Sequence, residues 1–281
     1  LPYRKFASVL KYLCIVLLVY LITPVFLHIQ WLDVLKAAIH PTIQWNEDYL
    51  SILVAILGTT ISPYLFFWQA DMEMEEKKKR KKLLVVDKHL IDNMNRDVRF
   101  GIFFSGLVMF FIMLTTGTVL YSKGIHQINS VEEASIALQP LAGESAYLLF
   151  SIGIIGTGLL AIPVLSGALS YMICETFEWE LGMDKKFFEA KAFYAVIGMS
   201  LLIGLFMNYL GIQPVQGLIY AAILYGLTAP VLIGIILHIS NNAAIMGNFR
   251  NKTSANVLGM ASLLLMTAAA VALLYFFWKA D

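Results

Sequence analysis

The sequence predicts an all-α polytopic membrane protein, and three observations carry that expectation. First, 59% of the 281 residues are hydrophobic and 14% are charged, whereas soluble domains run at roughly 45–50% apolar and about 25% charged. Second, the charges cluster, leaving uncharged windows at 12–32, 49–70, 100–122, 145–174, 192–249 and 253–278; a bilayer-spanning helix needs about 20 apolar residues. Third, these windows are continuously apolar, unlike the alternating segments of about ten residues that a membrane β-barrel requires. Other classes drop out. Two cysteines, Cys14 and Cys174, both inside apolar windows, read as packing residues and not as a disulfide framework. A net charge of +1 offers no electrostatic footprint for nucleic acid.

Seven spans follow within a single transmembrane domain over residues 1–281. The first lies near 9–30 and ends before Asp33; the second, near 49–70, sits between Asp48 and Asp71; the third, near 100–121, begins after Arg99. The fourth, near 145–174, carries small residues at four-residue spacing, such as Gly153, Thr157 and Ala161, and Ser166 with Ser170, as does the later segment 214–238; that pattern lets membrane helices approach. The window 192–249 is too long for one helix. Asn208, Gly211 and Pro214 divide it into spans near 191–209 and 214–238. The seventh lies near 255–278. With a cytoplasmic N-terminus, seventeen of the twenty Lys and Arg residues fall inside, and only Lys36, Lys123 and Lys279 fall outside. The longest inside segment, 71–99, reads as a cytoplasmic loop. Its basic run from Lys77 to Lys82 has two open readings, a topology signal on a solvated loop or an attraction for anionic lipid.

No catalytic constellation emerges. The five histidines share no metal-ligand spacing, no carboxylate sits inside a span, and the chain reads as a non-enzyme. The informative segment is ILGTTISPYLFFWQA, residues 56–70. Gly58, Thr59, Thr60, Ser62 and Pro63 fall in mid-span, and Pro63 removes a donor opposite the Thr59 carbonyl. Non-helical backbone at membrane depth is tolerated only against protein, water or an ion, and broken helices build the midplane sites of many secondary transporters. A plain proline kink is the other reading of the same residues.

GTTISPYLFFWQ resembles the sixth helix of the Nramp family of divalent-metal transporters, whose usual form is G-A-T-V-M-P-H-N-L-Y-L-H. Gly58, Thr60 and Pro63 match, Ser62 takes the methionine position and Tyr64 the histidine position. Residues 103–120 resemble the seventh helix, 132–177 the eighth with its preceding loop, and 212–232 with NNAAIMGNF (241–249) the tenth with its exit loop. The closest pattern is the bacterial branch with S-P-Y in place of M-P-H.

The resemblance implies a LeuT-like inverted-repeat helical bundle, of which this chain supplies helices five to eleven only. The family's first helix, with its Asp-Pro-Gly-Asn-type segment, is expected before Leu1. The implied function is a secondary transporter moving Mg²⁺/Mn²⁺-like divalent cations across the cytoplasmic (inner) membrane by alternating access. The metal is cargo, no cofactor is implied, and the partners are the divalent ion, the lipid bilayer and protons as an optional coupling ion, with no nucleic acid. The metal-facing groups implied are the Thr59 carbonyl, the Ser62 hydroxyl and, at the family's tenth-helix glutamine, Gln216, for which an interhelical hydrogen bond is an equal reading. Thr60, Pro63, Tyr64 and Gln69 would line the pathway; neither Tyr64 nor Gln69 titrates near neutrality. Ser62 presents a hard oxygen where methionine would present a soft sulfur, which suits Mg²⁺ or a broad specificity. An amino-acid or amine permease of the same fold, and a truncated, non-transporting fragment, stand as alternatives.

Orientation is directly testable. A cysteine introduced between residues 83 and 90 should resist a membrane-impermeant maleimide in intact cells and react after permeabilisation. Efficient labelling of intact cells would reverse the orientation.

Overall fold

Helix start and stop chemistry is clearest where the first long apolar segment begins. The Asn46 side chain accepts from the Tyr49 amide at 2.8 Å, and Glu47 and Asp48 occupy the first turn, complementing the helix dipole. In the computed structural model, which describes residues 19–27, 29–79, 88–125, 128, 131–139, 143–211 and 213–280, the described residues contain no strand. The longer helices are α1 (Trp31–Ile39), α2 (Glu47–Thr60), α3 (Pro63–Lys79), α4 (Lys88–Val119), α5 (Ala146–Thr176), α6 (Lys191–Met207), α7 (Pro214–Asn241) and α8 (Thr253–Ala280). Among the described residues, five segments are long and apolar enough to cross a membrane: Glu47–Glu75 through the α2–α3 interruption, Ile91–Val119, Phe150–Thr176, Pro214–Asn241 and Thr253–Lys279. Helix α6 is apolar but shorter, at 17 residues. A 3₁₀ turn at Asn208–Leu210 and Gly211, at φ +80°, separate α6 from α7, which starts on Pro214.

Two expectations change. Residues 71–79 and 88–99, read as loop, are helical, because α3 continues to Lys79 and α4 starts at Lys88. Met, Glu, Lys and Leu are strong helix formers, and extending a formed helix costs little once it is nucleated. The charges there mark a change of surroundings and not the end of the helix. Most of the span expected near 9–30, with Cys14, lies outside the described residues, as do Arg80 to Lys82; the described part holds a short helix, Val19–Ile22, and a 3₁₀ turn, Thr23–Phe26.

The described chain divides into two compact units, Leu1–Lys36 with Phe67–Phe206, and Ala37–Phe66 with Met207–Asp281. In the first unit, Tyr171 is fully buried between the rings of Trp68, at 6.1 Å, and Phe193, at 4.9 Å. Gly167 makes room for Trp68, since a Cβ there would collide with the indole. The Ser170 hydroxyl donates to the Phe193 carbonyl at 2.6 Å and pins α5 to α6. Glu75, expected in a loop, is half-buried on α3. Its Oε1 accepts from the Tyr171 hydroxyl and from the Met183 amide at 3.2 Å, and its buried Oε2 has no partner among the described residues. Of the small residues expected to pack α5, Ser166 and Ser170 are buried, but Thr157 is exposed and bonds back to the Gly153 carbonyl. Gly156, Val164 and Ala168 are buried as well, and Gly153 and Ala161 are partly covered.

The second unit is α2, α7 and α8. Leu50, Val54 and Leu273 form one buried layer with Ile223, Leu227 and Ala269 around it. Ala229, Ile233 and Met266 form the next, against Leu57, Ile61 and Leu263. These pairings run α2 parallel to α7 and antiparallel to α8. Lipid tails are as apolar as leucine, so close packing, not hydrophobic burial, must hold such helices together. The closest approach is glycine on glycine. A Cβ built on Gly58 would fall onto the Gly226 nitrogen and the Ala222 carbonyl oxygen, and one on Gly226 onto the Val54 carbonyl. Beyond the layers, Asn241 and Asn256 exchange reciprocal amide hydrogen bonds at 2.9 and 2.6 Å, tying α7 to α8.

Gly58→Ala and Gly226→Ala should therefore each destabilise the complete protein by about 1–3 kcal/mol or more, the overpacking range. Gly234→Ala, on the same α7 but facing open space, should be neutral or slightly stabilising. Thermal unfolding in detergent measures all three; equal midpoints would remove the glycine contact from the account.

Candidate functional site

The α2–α3 interruption is built by four adjacent residues. Pro63 has no N–H, its ring bars a helical bond to the Thr59 carbonyl, and it disfavours helical backbone at Ser62. Helix α2 accordingly ends at Thr60, Ile61 leaves helical geometry at φ −116°, ψ 63°, and α3 begins on Pro63. The hydroxyls of Thr59 and Thr60 donate back to the Ile56 and Leu57 carbonyls at 2.8 and 2.6 Å. The freed Thr59 carbonyl is taken up by Ser62, whose Oγ donates to it at 2.8 Å. Ser62 is 4% exposed, and its backbone carbonyl accepts from the Leu65 amide at 3.1 Å.

This arrangement leaves defined valences. Each carbonyl oxygen has two lone pairs, and a hydroxyl that donates keeps its own two. The Thr59 carbonyl and Ser62 Oγ are thus neutral hard oxygens held side by side, at the carbonyl end of α2, where the helix dipole is negative. That donor set suits a hard cation better than a soft one. Charge compensation does not come from the break itself. No Asp, Glu, Lys or Arg lies between Asp48 and Asp71, and among the described residues no group of three or more His, Cys, Asp or Glu could hold a metal.

The other residues singled out from sequence distribute unevenly. Tyr64 is half-buried in the first turn of α3 and stacks obliquely on Tyr225 of α7, ring centroids 5.7 Å apart. Thr60 is exposed beside the break, and Gln69 is exposed further along α3. Gln216 is not brought to the break. The α7 positions that meet α2 there are Ala222, Gly226, Ala229 and Ile233, whereas Gln216 is exposed in the first turn of α7. It precedes Tyr225 by nine residues, about 13 Å of helix rise. Gly226, the backbone partner of Gly58, lies in the segment 214–238 that its small residues single out in the sequence, although no one position there is marked as the contact. Its signal is the four-residue step from Ala222 to Gly226, the two positions that meet Gly58.

Comparison with known proteins adds an independent line. The family model described as natural resistance-associated macrophage protein-like, Nramp, matches residues 1–276. Among curated relatives, the protein named divalent metal cation transporter MntH of Caldanaerobacter subterraneus subsp. tengcongensis is 25% identical over 233 residues, 82% of this chain and 52% of that protein. The MntH of Mycobacterium leprae is 22% identical over 242 residues, 84% of this chain and 52% of its own. The chain thus spans about half the length of these relatives. A match that runs through the helix break and nearly every apolar helix, and that agrees with the motif at Gly58, Thr60 and Pro63, places this multi-pass membrane protein in the Nramp family.

Proposed function

We propose that the protein acts in a secondary transporter that carries divalent metal cations across the cytoplasmic membrane by alternating access, the ion resting against the α2–α3 break. The reading rests chiefly on one observation: two neutral oxygens, the Thr59 carbonyl and Ser62 Oγ, sit side by side at a helix interruption in a member of a family whose relatives are named divalent metal cation transporters. Membrane transporters commonly use such half-helix ends and unwound carbonyls to coordinate cations. An unpaired divalent charge is costly in a low-dielectric site. In this proposal it is balanced by the carboxylate of the family's first helix, expected before Leu1. Ser62 suits Mg²⁺ or Mn²⁺, and a site that retains some of the ion's water suits Mg²⁺ in particular, because Mg²⁺ dehydrates reluctantly. Segment 71–99 faces the cytoplasm, as its Lys and Arg content favours. Tyr64, Gln69 and Thr60 line the path below the ion.

Selectivity supplies the test. In the complete transporter, Ser62→Met exchanges a hard oxygen for a polarizable sulfur and occupies space that water would use. Competition uptake should then shift the Cd²⁺ to Mg²⁺ affinity ratio upward by about five- to thirtyfold, the effect of about 1–2 kcal/mol. If Ser62 only stabilises the backbone next to Pro63, uptake of every ion falls alike; an unchanged ratio removes Ser62 from the ion's surroundings.

A further inference from the structure

Helix α4 carries a second polar feature, independent of the break. A surface cavity of about 560 Å³ is lined by Asp92, Asn95, Arg96, Arg99, Phe100 and Phe103. These positions recur at three- and four-residue steps, so they form one stripe along a single helix face. Their order along the axis is a gradient. Asp92 and Asn95 come first, then the two arginines, then two phenylalanines that are 71% and 69% exposed. Arg99 is the last charged residue before the uncharged window 100–122. It therefore sits where the helix enters hydrocarbon, with both arginines at the level of the lipid phosphates.

The gradient matches the anatomy of one phospholipid. Arg96 and Arg99, one turn apart, present planar guanidinium forks suited to phosphate oxygens. One Arg96 amino group donates to the Asn93 side chain at 3.3 Å, which steadies the fork while leaving its other donors available. Phe100 and Phe103 offer apolar surface to the acyl chains. Asp92, two turns outward from Arg99, would repel a second anionic group but can accept from an ammonium. Among the described lining residues, two arginines are thus available to the phosphate and one carboxylate to the ammonium. We propose that this face of α4 is a binding site for an aminophospholipid, its phosphate on Arg96 and Arg99 and its primary ammonium at Asp92.

The complete protein, purified from membranes and reconstituted in nanodiscs, provides the test. Native mass spectrometry of the wild type should retain bound phosphatidylethanolamine, and the double variant Arg96→Gln, Arg99→Gln should lose it by about tenfold or more. Arg96→Lys with Arg99→Lys, which keeps charge and loses the forks, should fall between, and an unchanged melting point in phosphatidylcholine alone confirms that the variants fold. Phosphatidylethanolamine should displace phosphatidylcholine several-fold more readily than the reverse, because a quaternary ammonium donates no hydrogen bond. Asp92→Asn should erase that preference without the loss seen in the arginine variants. A photo-crosslinker at position 103 should capture lipid. Wild-type retention in the double variant, equal exchange of the two lipids, or crosslinking of position 103 to another part of the protein would each overturn the proposal.

Discussion

The contact between the backbones of Gly58 and Gly226 is the constraint on which the second unit depends. Association of helices in a bilayer draws little on the hydrophobic effect, so α2 and α7 must reach each other's main chain to gain enough dispersion contact. Gly58 and Gly226 allow it, and no Cβ fits at either position. The buried layers of Leu50, Val54 and Leu273, and of Ala229, Ile233 and Met266, lie on either side of that contact. Ile61, the residue at which α2 stops being helical, packs on the second layer. The break is therefore anchored by side chains from α7 and α8 and is not a loose kink.

That anchoring bears on which of the two readings of Pro63 is the better supported. A plain proline kink bends a helix and leaves the lost bond to neighbouring groups. Here two residues leave the helix, and the freed Thr59 carbonyl is paired with a buried hydroxyl from Ser62. A carbonyl and a hydroxyl fixed against each other are preorganised, and binding a cation there would require little reordering of the chain. The same pairing explains how a polar break persists at membrane depth, since neither oxygen is left without a partner.

Much of this was legible in the residues. Pro63 announces the break because a missing N–H has the same consequence in any helix, and the Gly211–Pro214 turn is legible for the same local reason. What escaped was set by three-dimensional register or by competing propensities. Gln216 occupies a plausible place in the order of the chain, yet the α2–α7 pairing places Ala222 and Gly226 at Gly58 and leaves Gln216 in the first turn. Segment 71–99 reads as a loop from its charge, whereas Glu, Lys and Met favour helix and residues 71–79 and 88–99 are helical. Glu75 illustrates the cost of that reading. A carboxylate assigned to a solvated loop instead accepts from Tyr171 and from the Met183 amide, and helps hold α3, α5 and the turn after α5 together.

In the proposed function a divalent ion rests on the oxygens of the α2–α3 break. Anomalous diffraction from crystals of the complete protein soaked in Mn²⁺ tests this. The account predicts an anomalous peak about 2.0–2.6 Å from the Thr59 carbonyl oxygen or Ser62 Oγ, the range of hard-cation ligation. A well-occupied peak elsewhere in the membrane-spanning region, with none at the break, would contradict it.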